Sequence, residues 1–256
     1  MDEALLARVE DASLNASAPP QQRWMDGWLV RTSPGRAQRA RSINPVAAGR
    51  LPLAQKLALA SDAFREAGLP VLIRLTPFSQ PPDLDQRLAA LGWRQDGQTH
   101  VLVRTADFRG LTPKALPEGC FWQPLEGAAF AAAVGSLRGS PPEQQHAHAQ
   151  RLAASPVPYR GFAIRRGDGG TVLCCGQFAR EGSLVGLYDV HTAPAVRRAG
   201  LAQALCERLL LGAADEGATV AYLQVDATNS GALSVYRRLG FEPGYDYHYR
   251  HAPVPA

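Results

Sequence analysis

The segment 196–210, VRRAGLAQALCERLL, places two arginines and a glycine directly before a predicted helix. Most helices favour Asp or Glu in their first turn, because the helix dipole is positive at that end. This segment instead has Arg197 and Arg198 before the helix and no acidic residue at its start. Basic residues at a positive helix end indicate that an anion binds there.

A glycine and an alanine shape the predicted anion site. Gly200 has no Cβ, so a ligand can come close to the backbone, and Ala202 keeps the next helical turn narrow. The first N–H groups of a helix have no partner within the helix and can donate to a phosphate. The common phosphate loops G-x-x-x-x-G-K-[ST] and G-x-G-x-x-G are absent, and the pattern R-x-x-G-x-A remains. A diphosphate fits this loop, and a helix start with solvated arginines is the alternative.

The elements around this loop alternate between strands and helices. Three strands, YRGFAIRR, TVLCCGQFAR and SLVGLYDVHT, are separated by GDGG and EGS turns, and the first two are predicted to form a hairpin. They are followed by a helix from about Arg198 to Gly217, a strand TVAYLQVD, a helix from about Ser230 to Leu239 and a closing strand YDYHYR. This order predicts a mixed α/β domain in which a strand enters the glycine loop and a helix leaves it.

The segments VHTAPAVRRAGLAQAL and YLQVDATNSGALSVYRRLGF resemble the GNAT superfamily of N-acetyltransferases, which use acetyl-coenzyme A. The resemblance extends over about residues 121–250 and is most specific over 187–241. It implies that the loop binds the coenzyme A diphosphate through main-chain N–H groups, and that the preceding strand contacts the pantetheine arm. The residues implied in cofactor binding are Val190, His191, Thr192, Arg197, Arg198, Ala199, Gly200, Leu201, Ala202 and Asn229.

Tyr236 is the candidate general acid, because the resemblance places it where the superfamily has a helical tyrosine. A phenol with a reference pKa of about 10 can protonate a leaving thiolate whose conjugate acid has a pKa near 8.5. Ala232, Leu233 and Leu239 share the helical face of Tyr236, so packing in the core is the alternative.

The general base is less well defined. Relatives often have a glutamate in the strand after the long helix, and Gln224 occupies that position here. Asp189 is the first choice for the base, His191 the second and an ordered water the third. Period-two alternation places Asp189 and His191 on one face of their strand. A purely structural role is the alternative for each side chain.

The first half of the chain resembles a degenerate copy of the second, as in double-domain members of the superfamily. LPVLIRLTP, PDLDQRLAALGW and THVLVR give a strand, a helix and a strand, and LGW at 91–93 matches LGF at 239–241. Glycine stops many helices, so a coincidental match is the alternative. A Pro- and Gly-rich linker at 106–119 gives predicted domains of residues 1–110 and 119–256.

The predicted fold class is therefore α/β, with two GNAT-like mixed-sheet domains in tandem and the coenzyme-binding loop in the C-terminal one. The first half has no matching glycine loop before a long helix and is predicted to bind no coenzyme. Four arginines cluster near that place, namely Arg36, Arg39, Arg41 and Arg50.

Composition excludes several classes of function. The net charge of +4 is too small to indicate nucleic-acid binding, and four cysteines without a C-x-x-C pair indicate neither a disulfide framework nor a zinc site. The chain shows neither a signal peptide nor an apolar run long enough to span a membrane, so a cytoplasmic monomer or homodimer is expected.

The predicted function is transfer of an acetyl group from acetyl-coenzyme A to a primary amine, by direct attack in a ternary complex. The acceptor is a small molecule or a peptide whose identity the sequence leaves open. A non-catalytic module that binds or senses acyl-coenzyme A is the main alternative, since Gln224 replaces the glutamate of relatives. A nucleotide-binding protein is a further alternative.

Overall fold

The computed structural model describes residues 1–34, 37–167 and 170–253. Arg36 of the predicted arginine cluster, and Asp168 and Gly169 of the predicted GDGG turn, lie outside the described residues. The described residues form seven helices: α1 (Glu3–Ala16), α2 (Leu53–Glu66), α3 (Leu84–Ala90), α4 (Gly127–Arg138), α5 (Pro142–Ala153), α6 (Leu201–Asp215) and α7 (Ser230–Arg238). They also form eleven strands: β1 (Gln22–Met25), β2 (Trp28–Arg31), β3 (Ile43–Pro45), β4 (Leu72–Leu75), β5 (Arg94–Arg104), β6 (Cys120–Leu125), β7 (Tyr159–Arg166), β8 (Thr171–Glu181), β9 (Leu184–Thr192), β10 (Val220–Asp226) and β11 (Glu242–His251).

The chain divides into two compact units that are not consecutive in sequence. Unit 1 contains Met1–Ala16 and Val101–Gly244, and unit 2 contains Ser17–His100 and Tyr245–Ala256. Helix α1 therefore groups with unit 1, although it precedes unit 2, and most of β11 groups with unit 2. The predicted domains of residues 1–110 and 119–256 follow sequence order and stay a prediction.

In unit 1 the strands β6, β7, β8, β9 and β10 lie side by side in sequence order. The pairs from β6 to β9 are antiparallel, whereas β9 and β10 are parallel because the chain crosses over through α6. One face of this sheet packs against α6, with Val185 and Leu205 in the shared core. The opposite face packs against α4, with Phe130 and Cys175 in a second core. Both faces are covered, which explains the long apolar runs of β8 and β9.

In unit 2 the strand order is β1, β2, β3, β4 and β11. The first three strands are antiparallel, β3 and β4 are parallel, and β11 is antiparallel to β4, with Arg74 opposite Tyr249. Helices α2 and α3 pack on one face through Phe64, Leu84 and Leu88. The predicted strand, helix and strand before and after LGW are confirmed as β4, α3 and β5.

Candidate active site

The start of α6 presents unpaired main-chain donors. The chain leaves β9 through a 3₁₀ turn at Pro194–Val196, and it enters the helix with Arg198 at φ 66° and Gly200 at φ 83°. The first helical hydrogen bond runs from Ala204 N to Gly200 O at 3.1 Å. Within the described part of the chain, the six N–H groups of residues 198–203 donate to no acceptor. Six successive donors at the positive end of a helix form an arrangement that binds phosphate.

Most side chains of the loop leave this main-chain surface accessible. Arg197, Arg198 and Ala199 are exposed, whereas Leu201 is buried in the core beside the sheet and Ala202 is partly buried. Arg197 contacts the end of β9, because its Nε donates a hydrogen bond to the main-chain oxygen of residue 192 at 3.4 Å. The buried leucine fixes the helix start while the exposed arginines place positive charge at its rim.

The pairing of β9 with β10 ends before either strand ends. It runs from Leu184 opposite Val220 to Leu187 opposite Leu223, although β9 continues to residue 192 and β10 to residue 226. The facing main-chain groups beyond these pairs do not take part in the β9–β10 ladder. Such groups need hydrogen-bond partners, so an extended ligand with amide groups can bind along this end of β9.

A β-bulge in β9 lies at this end of the strand. Gln177 pairs with Tyr188 and Cys175 with His191, so β9 has one more residue than β8 between these two pairs. The extra length is taken up at Asp189, whose φ is 53°. The bulge interrupts the alternation of side chains between Tyr188 and Asp189, and the alternation resumes from Asp189 onward.

The bulge changes which side chains face α6. A Cβ atom at Gly176 would lie 3.1 Å from Val190 Cγ2 and 3.0 Å from Leu205 Cδ2, so Val190 faces α6. His191 is opposite Cys175, which belongs to the core on the α4 side. Asp189 and His191 both face the α4 side, with Val190 between them on the α6 side, as period-two alternation predicts.

The Asp189 carboxylate contacts side chains from three other elements. Its Oδ1 accepts from Arg138 at the end of α4 at 2.8 Å, and its Oδ2 accepts from Gln177 Nε2 on β8 at 2.8 Å. His148 Nε2 on α5 lies 3.3 Å from the same Oδ2. Burial acts to raise the pKa of Asp189, but hydrogen bonds and charges from His148 and Arg138 hold that pKa well below its usual range. A carboxylate with so low a pKa is a poor base at neutral pH, so the geometry favours a positioning role for Asp189.

His191 has the properties that Asp189 lacks as a base. Burial, followed by the positive charges of Arg138 and Arg197, lowers the pKa of His191, while a hydrogen bond to the main chain of Leu137 and the charge of Asp189 oppose this. The imidazole is therefore neutral at neutral pH. A neutral ring has one nitrogen that can accept a proton.

Tyr236 on α7 is part of the core and has an unused hydroxyl. The residue is 8% exposed, and its ring makes an edge contact with Phe241 at a centroid distance of 6.0 Å. Its hydroxyl makes no hydrogen bond to any residue that the structure describes. Burial raises the pKa of Tyr236, and the nearby Cys206 and Cys174 add to the increase. The ring therefore packs in the core, and the role of the hydroxyl as an acid stays a prediction.

Thr192 and Asn229 are each engaged locally. The Thr192 hydroxyl lies 3.1 Å from the sulfur of Cys174. The Asn229 side chain caps α7, since its Oδ1 accepts from Ala232 N at 3.1 Å. Asn229 is exposed and its amide N–H groups donate to no described residue, so they can still reach a ligand.

Lys114 in the linker was not identified from the sequence. Its Nζ lies 2.8 Å from the position that a Cβ atom on Gly200 would occupy. The linker showed no periodicity and no motif, so no local signal linked it to the glycine loop.

In unit 2 the helix that follows three strands begins differently. The Asp26 carboxylate accepts from Arg50 N at 2.8 Å and from Leu51 N at 2.9 Å, just before α2. Those main-chain hydrogen bonds, and then the charge of Lys56, outweigh burial and lower the pKa of Asp26. A side chain of the protein thus binds the two N–H groups that precede α2. Arg50 of the predicted cluster contributes a main-chain N–H to this contact.

Two comparisons of sequence relate the chain to acetyltransferases. Residues 175–251 match the family described as "Probable histone acetyltransferase Rv0428c C-terminal". The chain is also 25% identical over 232 residues to "Uncharacterized N-acetyltransferase YobR" of Bacillus subtilis (strain 168), which covers 90% of this chain and 91% of that protein.

Solved structures share the fold. A GCN5-related N-acetyltransferase from Kribbella flavida aligns with a TM-score of 0.66 and 18% identity, over 98% of this chain and 96% of that chain. A tandem GNAT protein from the clavulanic acid biosynthesis pathway, solved without AcCoA, aligns with a TM-score of 0.65 and 12% identity, over 100% and 97%. The predicted fold class, α/β with GNAT-like mixed sheets in tandem, is confirmed, and so is the resemblance to the GNAT superfamily.

The described residues contain no group of three or more His, Cys, Asp or Glu side chains that could hold a metal ion. No helix among them is long and apolar enough to cross a membrane.

Proposed function

We propose that this protein is an N-acetyltransferase that moves the acetyl group of acetyl-coenzyme A to a primary amine. The observation that carries the proposal is the run of six unpaired N–H groups, 198–203, at the start of α6 in a GNAT fold. A diphosphate offers the acceptor oxygens that these donors need and the negative charge that Arg197 and Arg198 need. The names of the matched family and of the Bacillus relative support acetyl transfer.

Other residues of the site fit the remainder of acetyl-coenzyme A. From Val190 to Thr192, the edge of β9 that no longer pairs with β10 offers main-chain groups to the amides of the pantetheine arm. The exposed Asn229 offers its amide N–H groups. In the same proposal, Ala199, Gly200, Leu201 and Ala202 act through their main chain.

The proposed reaction is direct attack in a ternary complex. The amine nitrogen bonds to the acetyl carbonyl carbon, the C–S bond breaks, and the amine gives up a proton as the amide forms. The base takes the proton of the amine, and the thiolate that leaves takes up one proton from solvent. Because its pKa is raised, Tyr236 stays protonated and stabilises the leaving sulfur chiefly by donating a hydrogen bond.

His191 is the side chain that we propose as the base. It is neutral at neutral pH, and Asp189 is held as an anion by Arg138 and His148. Gln224 is partly buried on β10 and has no basic group at neutral pH. Asp189 then sets the position of the residues around His191 and does not exchange protons itself.

Gln224 supports a second candidate function, because the carboxylate often found at that position in relatives is missing. In that case the protein would bind acyl-coenzyme A without transferring the acyl group. The experiment must therefore measure catalysis as well as binding.

The experiment measures free thiol released from acetyl-coenzyme A by the full chain. The amine panel contains an amino acid, a polyamine, an aminoglycoside, a lysine-containing peptide and a peptide with a free N-terminus. We expect thiol release that depends on one class of amine. Calorimetric binding without release for any amine would favour the sensing module, and absence of binding would contradict both candidates.

A further inference from the structure

The linker is hydrogen-bonded to α6 at Lys114. The Lys114 N–H donates to Glu207 Oε2 at 2.9 Å, and Gln203 Nε2 donates to Glu207 Oε1 at 2.9 Å. Glu207 is only 5% exposed, and each of its carboxylate oxygens accepts a hydrogen bond. Leu111 and Leu116, on either side of Lys114, pack against the core that contains α6. The position of the linker along α6 is thus fixed by a buried carboxylate and by two apolar side chains.

This attachment brings the Lys114 ammonium to the start of the helix. A Cβ atom placed on Gly200 would lie 2.8 Å from Lys114 Nζ and 3.4 Å from Lys114 Cδ and Cε. The lysine side chain therefore covers the glycine. Lys114 is exposed and forms no ion pair with any acidic side chain that the structure describes. The ammonium therefore adds a third cation to Arg197 and Arg198 beside a helix end that is itself positive.

Such an arrangement is electrostatically unfavourable unless an anion is present. Like charges repel each other and the helix dipole repels all three. An exposed lysine has many rotamers that lead to solvent, and the fixed linker directs this one to the unpaired donors of 198–203. An anion with several oxygens would be bound by those donors and by the ammonium together.

We propose that Lys114 is a ligand of the coenzyme A diphosphate, supplied by the linker across the glycine loop. The inference rests on the proposed function, because it takes coenzyme A as the anion. It adds to the loop a side chain from outside the strand–loop–helix segment, and it makes the linker part of the coenzyme site. The main-chain contact with Glu207 survives replacement of the side chain, so the role of the ammonium can be tested separately.

The test is calorimetric titration of the full chain with coenzyme A and with dephospho-coenzyme A, which lacks the 3′-phosphate. We expect Lys114→Met to weaken binding of both ligands about tenfold, and Lys114→Arg to restore most of the affinity, because a charge-assisted contact to the diphosphate is lost and regained. Arg109→Met removes the same charge from an exposed position of the same linker and is the matched control. Thermal melting checks that each variant is folded.

Three results would overturn the assignment. Unchanged affinity in Lys114→Met would show that the ammonium makes no contact, and tighter binding would show that the side chain obstructs the site. A loss seen with coenzyme A but not with dephospho-coenzyme A would assign Lys114 to the 3′-phosphate. If the unaltered protein binds neither ligand, the proposed function itself fails. This outcome is distinct from a failure of the Lys114 assignment, in which the unaltered protein still binds coenzyme A.

Discussion

Tyr236 was predicted in two ways, as a packing residue and as an acid, and the structure shows the packing. Its spacing with apolar neighbours predicted packing, and its place in the motif predicted an acid. The ring is buried against Phe241, yet the hydroxyl has no hydrogen bond to a described residue. A hydroxyl that no group of the described chain engages can donate to a bound ligand.

Tyr236→Phe is therefore expected to lower turnover by about 10²-fold or more while the affinity for coenzyme A stays within about twofold. Thermal stability should be unchanged or slightly higher, since no hydrogen bond within the protein is lost. Steady-state thiol release with saturating amine, together with calorimetry, measures both effects. Normal turnover in the folded variant would leave Tyr236 with a packing role alone.

Asp189 carries a prediction about stability and pH. Its pKa is lower in the folded protein than the value of about 3.9 in an unfolded chain. The unfolded state therefore takes up a proton first as the pH falls, and the stabilisation is complete above about pH 4 and lost below it. Asp189→Asn should reduce the free energy of unfolding by about 1.5–3 kcal/mol at pH 7. The difference from the unaltered protein should shrink as the pH falls below about 4.

Denaturant unfolding at several pH values tests this, with Asp62→Asn as the control. Asp62 forms an exposed ion pair with Arg65, at side-chain exposures of 52% and 75%, so its replacement should change stability by less than about 0.5 kcal/mol. A difference for Asp189→Asn that is independent of pH would mean that the carboxylate is not held as an anion by Arg138 and His148.

The start of α6 can be tested with two glycines at opposite ends of the helix. Gly200 has φ 83° and Gly217 has φ 95°, so a side chain at either position costs about 1–2 kcal/mol in backbone strain. Only Gly200 adjoins the unpaired donors and the Lys114 side chain, whereas a Cβ atom at Gly217 would meet nothing within 4 Å.

Gly200→Glu should weaken binding of acetyl-coenzyme A at least ~100-fold, roughly 2.7 kcal/mol, because it places bulk and negative charge where the diphosphate approaches. Gly217→Glu should have a similar effect on stability and little effect on binding. Calorimetry on both folded variants measures their affinities for acetyl-coenzyme A. Equal affinities would show that the loop does not hold the diphosphate.

The sequence predicted the elements of unit 1 well because their signals are local. The loop pattern located the start of α6, observed at Leu201, within three residues of the expected Arg198. The bulge at Asp189 was not predicted, since it is defined only by the register with β8. The Lys114 side chain over Gly200 and the Asp26 carboxylate at α2 were missed for the same reason, because each contact joins residues distant in sequence.

The whole molecule departs from sequence order for a related reason. The linker signal at 106–119 predicts two consecutive domains, which stays a prediction, whereas each compact unit contains segments that are distant in sequence. Leu102 and Phe108 are core residues of unit 1, although they precede the expected second domain. A fragment that begins near Pro117 therefore lacks part of the unit 1 core as well as α1, so the function of each unit is better tested by substitutions in the full chain.

The two units differ in what their corresponding helix starts offer to an anion. In unit 1 the N–H groups of 198–203 are unpaired, whereas in unit 2 the Asp26 carboxylate accepts from Arg50 N and Leu51 N. An incoming phosphate at the start of α2 would lie beside this carboxylate and would be repelled by it. We therefore expect calorimetric titration of the full chain to give one coenzyme A per chain, and Gly200→Glu to remove that binding without revealing another. A stoichiometry of two, or one remaining site in folded Gly200→Glu, would show that Asp26 does not close the start of α2 and that the first half of the chain keeps a coenzyme site of its own.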